Sequence, residues 1–204
     1  MQKIALFIAL YITGVIGAQN YEMGMQKAFG LWKDNPTAAS NLFERIAQVE
    51  TDNWLPTYYA AQVNILQSFG ERDKDKLTAQ LNKAQDLIND ATPISNNNPE
   101  IMVLQALLHT VWVAYDGATY GMTLSPKVGA LYTKATQIDP TNPRVILSKA
   151  EWDIGSARFF GQDTAPFCKD IEKALELFAN FKPASEFHPN WGKERAEQVL
   201  KDCK

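Results

Sequence analysis

The sequence has no basic excess: 20 Lys and Arg stand against 23 Asp and Glu, a formal net charge of −3 with no Lys- or Arg-rich strip. Backbone binding to nucleic acid draws on counterion release by clustered Lys and Arg, so no nucleic-acid partner is expected. Histidine is scarce as well, with only His109 and His188. Neither belongs to an HExxH motif, and GxSxG, P-loop and CxxC patterns are missing. The carboxylates are spread along polar stretches in the manner of a solvated surface. The chain therefore reads as non-enzymatic, with no catalytic residue, no metal site and no cofactor expected. Two cysteines, Cys168 and Cys203, are too few for a disulfide framework but enough for one bridge.

Long apolar runs are missing except at the start, "MQKIALFIALYITGVIGAQN". Lys3 precedes a charge-free run from Ile4 to Gly17, and small residues lead to Gln19. A positive head, a short greasy core and a small-residue cut site make a secretory signal. A bilayer span needs about 20 apolar residues, and this run is shorter. Residues 1–18 are thus expected to be a signal peptide cleaved after Ala18, and residues 19–204 the mature domain. The mature chain is expected to be periplasmic or secreted, with no membrane span after removal.

What the sequence does contain is an echo. "YTKATQI" from Tyr132 has near-copies in "LNKAQDL" from Leu81 and "IEKALEL" from Ile171. Aligned on Asn20, Asn53, Asn98, Asn142 and His188, spaced by 33, 45, 44 and 46, the chain places an alanine eight residues after each: Ala28, Ala61, Ala106, Ala150 and Ala196. The asparagines can accept from the free N–H groups of a first helical turn, and Pro99 and Pro143 follow two of them where a missing N–H costs nothing. Small residues two turns in let a neighbouring helix approach. Each "KA" copy marks a second helix, with Leu81 and Leu87, Tyr132 and Ile138, and Ile171 and Leu177 placed on one face. A helical hairpin cannot bury both faces alone, so stacked hairpins repeat the same solution in sequence.

Paired helices, a small residue eight positions in, an apolar or aromatic residue before "KA", and then "DP" ahead of the next helix resemble the tetratricopeptide repeat. The segment from Tyr132 to Pro140 matches best, and "AQVETDNWLPTYYAA" matches a junction without its proline. The first unit is near the family's ~34 residues, and the later ones are about ten longer. The leucine expected before each alanine is replaced by Ala60, Gln105, Lys149 and Arg195. The resemblance implies an all-α solenoid of stacked antiparallel helix pairs, and the periodicity places about nine helices: 20–32, 36–50, 53–69, 72–91, 98–116, 125–138, 142–160, 165–180 and 189–203. The 98–116 helix, apolar almost all round, is expected at the centre.

In the family, partners lie along the concave face of the first helices. Carried over, that face holds Leu55, Tyr58 and Gln62, then Glu100, Val103 and Leu107, then Arg144, Leu147 and Glu151. Of these, Tyr58, Gln62, Arg144 and Glu151 are the candidate binding residues. Tyr120 joins them as an aromatic in the glycine-flanked stretch "DGATYGMTLSP". The function expected is an exported scaffold for a protein or peptide partner. The alternative is a small-ligand or glycan binder using loops 116–126 and 160–166. His109 reads as a core histidine and His188 as a turn residue. If the last two helices pack antiparallel, the midpoint of Cys168 and Cys203 falls in their connection, so the two cysteines meet and a disulfide is expected.

Overall fold

A computed structural model describes residues 19–203. The expected signal peptide, and with it the expected cleavage, lies outside the described residues. The chain is helical from 19 to 32 (α1). Eight further helices follow: α2 Pro36–Ala47, α3 Trp54–Ser68, α4 Lys74–Ile94, α5 Pro99–Tyr115, α6 Gly117–Ile138, α7 Pro143–Phe159, α8 Ala165–Asn180 and α9 Lys193–Asp202. No strand occurs among the described residues.

Helix starts follow the local chemistry. Asn53, Asn98 and Asn142 each accept from a first-turn N–H at 3.0, 2.9 and 3.0 Å. Asn35, Asp73 and Asp116 cap α2, α4 and α6 in the same way. The other two openers behave differently. Asn20 lies inside α1, and His188 precedes α9, whose N-cap is Gly192. All five register alanines are nonetheless no more than 1% exposed, so they mark close helix contacts whether or not a cap stands eight residues earlier.

Consecutive helices pack as pairs, α3 with α4, α5 with α6 and α7 with α8, while α3, α5 and α7 also lie side by side. The fold is an all-α stack of helix pairs. α5 stands at its centre, contributing Leu104 and Leu108 to one core cluster and Val103 and Ala106 to a second. The buried face of the second helices differs from the expected one in one respect. Ile138 is exposed, whereas Ile88 and Phe178, four residues after Ala84 and Ala174, are buried. An i, i+4 step stays closer to one face than i, i+3 does when the partner helix runs alongside.

The expected loop 116–126 is helical, forming the first half of α6. Asp116 closes the α5 to α6 corner: one carboxylate oxygen accepts from the Thr119 N–H at 3.0 Å and the other from its hydroxyl at 2.6 Å. Tyr120 then packs on Trp112 of α5, with centroids 4.9 Å apart. A good cap and this contact override the weak helix propensity of Gly117 and Gly121. Pro126 sits inside the helix, and the turn it interrupts is exposed at Met122, where water can satisfy the freed carbonyl.

Between α8 and α9, residues 181–192 leave the helical stack and cross its first-helix layer. Tyr59 donates its hydroxyl to the Phe187 carbonyl at 2.8 Å, Trp191 donates Nε1 to Tyr58 Oη at 2.9 Å, and the Arg144 guanidinium lies 4.3 Å from the Phe181 ring. The strap ends at Gly192, with φ +110°, where an added Cβ would sit 2.9 Å from Phe178 Cζ. Only glycine meets both conditions. Beyond it, α9 is tied to the start of α8 by the expected Cys168–Cys203 disulfide, with Cα atoms 5.9 Å apart.

Candidate functional site

The strap changes the meaning of the concave face. Tyr58, Glu100, Val103, Arg144 and Leu147, all expected to line an open surface, are buried. Glu100 and Arg144 pair there: Arg144 Nη2 lies 2.6 Å and Nε 2.8 Å from Glu100 Oε1, which also accepts from Asn142 Nδ2 at 2.7 Å. Two opposite charges out of water hold only when paired and hydrogen-bonded, and this pair couples the starts of α5 and α7. Arg144 is therefore structural rather than a binding cation. The Tyr58 hydroxyl is held by Trp191, and burial pushes its pKa well up, so it stays a neutral phenol.

Glu151 and Tyr120 lie elsewhere. Glu151 accepts from Arg195 of α9 at 2.7 Å, and burial raises its carboxyl pKa against the lowering effect of that arginine. Tyr120 lies in the first half of α6, half-buried against Trp112. The 160–166 stretch begins in a turn, with Phe159 and Phe160 exposed and edge to face at 5.1 Å. None of these residues lines a common cleft with Gln62. His109 is only half-buried in α5, 3.4 Å from Gln105, and so lies at the edge of the core rather than within it as expected.

The one candidate that faces a cleft is Gln62. It lines a groove of about 630 Å³ between α1, α3, α5 and the strap. α1 contributes Gln26, Phe29 and Trp32, α3 contributes Tyr59, Gln62 and Leu66, and α5 contributes Leu107. The strap closes the remaining side with Glu186, Phe187, His188, Asn190 and Trp191. The rings are mutually fixed. Phe29 is within 20° of parallel to Trp32 and 11° of parallel to Phe187, and the Tyr59 ring meets its edge at 4.6 Å. Edge-to-face contacts of this kind hold aromatic planes in place and leave flat faces for a guest.

Polar groups in the groove are few. Glu186 accepts from Gln26 Nε2 at 3.2 Å. Gln62 is 3% exposed, and its Oε1 has no hydrogen-bond partner among the described residues. His188 shares a 2.7 Å hydrogen bond between Nδ1 and Ser185 Oγ, its ring stands edge to face with Trp54 at 5.8 Å, and burial lowers its pKa. No Lys or Arg lines the groove. No group of three or more His, Cys, Asp or Glu able to hold a metal ion occurs among the described residues, and no helix there is long and apolar enough to cross a membrane.

Sequence reasoning picked out Gln62, which lines this groove, and missed the strap. Phe181, Phe187 and Trp191 were the available signal, since three large aromatics in a proline-rich connection need something to cover them.

The fold and groove together define a helical-repeat protein with an aromatic cleft closed by its own C-terminal strap. In fold the chain is similar to the HusA haemophore from Porphyromonas gingivalis, with a TM-score of 0.79 at 22% sequence identity over 90% of this chain and 92% of that one. No family model matches the chain, the tetratricopeptide repeat included, and no curated protein matches it in sequence.

Proposed function

We propose that this chain is an exported, non-enzymatic ligand carrier whose groove holds a flat, largely apolar ring system, a tetrapyrrole being the first ligand to test. The observation that carries this reading is the lining: five aromatic side chains around a cleft of about 630 Å³, inside the range of small-ligand sites. Planar guests gain dispersion and stacking against such faces. With no cation in the lining, acidic substituents of a ligand would point outward to water while its apolar body goes in.

A small ligand is favoured over a peptide for a specific reason. The concave positions that a peptide would use, at Tyr58, Glu100 and Arg144, lie beneath residues 181–192. The fold's likeness to a haemophore supports haem-like probes. Export is supported by the N-terminal pattern and by the Cys168–Cys203 bridge, which belongs to oxidising compartments.

Trp32 and Trp191 make the test direct. Titration with metal-free protoporphyrin IX should quench tryptophan fluorescence saturably. Leu66→Glu places a charge at an exposed groove position without touching the core, and should weaken binding about tenfold or more, because an unpaired carboxylate resists desolvation by an apolar guest. An unsaturable response in the wild type, or equal binding by the variant, would count against the groove.

A further inference from the structure

One acidic side chain lines the aromatic groove, and its place is fixed. Glu186 of the strap accepts from Gln26 Nε2 of α1 at 3.2 Å, and both residues belong to the lining. The hydrogen bond joins two walls and holds the exposed carboxylate at the rim. Each partner stands next to a flat ring. Phe187 follows Glu186, Phe29 lies one turn after Gln26, and their planes are 11° apart with centroids at 6.2 Å. Nothing in the lining balances this charge. Lys and Arg are missing from it, and burial lowers the pKa of His188, which favours the neutral imidazole. Trp32 lies ~9 Å along α1 from Gln26, and Leu66 and Leu107 are apolar as well. The groove thus has one acidic point on its rim and an uncharged lining elsewhere.

We propose that Glu186 is a specificity-determining residue of the groove: it admits planar ring systems whose acidic groups share one edge and disfavours those that carry acidic groups all round. This rests on the tetrapyrrole reading of the groove. A guest with carboxylates on one edge can turn that edge away from Glu186 and leave it in water. A guest with carboxylates all round has no such orientation, because each rotation in the groove brings one of them toward the rim that Glu186 occupies. The lining holds no cation to offset the repulsion. Two like charges about 4 Å apart at a wet rim are worth about fivefold in affinity. Ring contacts therefore supply affinity for any flat guest, and Glu186 sorts the guests by where their charges lie.

The full chain and its Glu186→Gln, Glu186→Lys and Gln26→Ala variants are each titrated, by tryptophan fluorescence at low and high ionic strength, with two metal-free porphyrins. Protoporphyrin IX carries its carboxylates on one edge, and coproporphyrin I carries them all round the ring. Wild type should bind protoporphyrin IX more tightly. Glu186→Gln, which keeps an acceptor for Gln26, should shift the affinity ratio about three- to fivefold toward coproporphyrin I, and Glu186→Lys should shift it further. Both shifts should shrink in high salt, because exposed charges are screened. Gln26→Ala removes the hydrogen bond and keeps the charge, so it should weaken both ligands by a similar factor and leave their ratio in place. If wild type binds protoporphyrin IX and Glu186→Gln leaves the ratio unchanged at low salt, or if Gln26→Ala shifts it as far as Glu186→Gln does, selection by this charge is overturned and the groove reading stands. If wild type binds neither porphyrin, the groove reading falls and the proposal falls with it.

Discussion

Arg144 shows how far a residue's role depends on what covers it. In sequence it is a cation on the presumed binding face. In the folded chain it is 2% exposed, paired with Glu100 and roofed by the Phe181 ring. Removing one member of such a pair leaves a buried charge uncompensated. Arg144→Met should therefore destabilise by about 3 to 5 kcal/mol, and adding Glu100→Leu should recover much of that loss. Denaturant titration of the two variants checks this. A loss below about 1 kcal/mol in the single variant would mean that the pair is not what ties α5 to α7. Gln62 shows the reverse case: a neutral residue at a transferred position that lines the groove.

Among the elements, the helices were legible and the strap was not. Asn53, Asn98 and Asn142 announced α3, α5 and α7 because capping is local chemistry, readable within three residues. The buried alanines were legible because close packing demands small side chains at a fixed period. Residues 116–126 were misread for the opposite reason: Gly117, Gly121 and Pro126 argue locally against a helix, and the Trp112–Tyr120 contact that favours one is tertiary. The 181–192 strap has no period at all. Its path depends on Tyr58, Tyr59 and Arg144, all distant in sequence. The disulfide, in contrast, followed from antiparallel geometry alone. It closes a separation of 35 residues, so Cys203→Ser should cost about 3 to 4 kcal/mol in the chain-entropy model. Because α9 anchors the strap, hydrogen exchange in the variant should rise first in α9 and residues 181–192. Uniform loss of protection across α3 to α7 would show that the bridge does not act locally.

For the whole molecule, a stack of helix pairs supplies the frame and the C-terminal segment covers part of its first-helix face, with the aromatic cleft beside it. In the proposed carrier, that arrangement separates stability from binding. The Glu100–Arg144 pair and the strap contacts complete the core, while Phe29, Trp32, Leu66, Leu107 and His188 border space. The most direct test of the central claim is a backbone amide chemical-shift map of the isotope-labelled chain with and without metal-free protoporphyrin IX. The account predicts large, saturable shifts confined to α1, the middle of α3, Leu107 and residues 186–191. Shifts centred instead on the α6 surface around Tyr120, on the Phe159–Phe160 tip, or nowhere at all would contradict it.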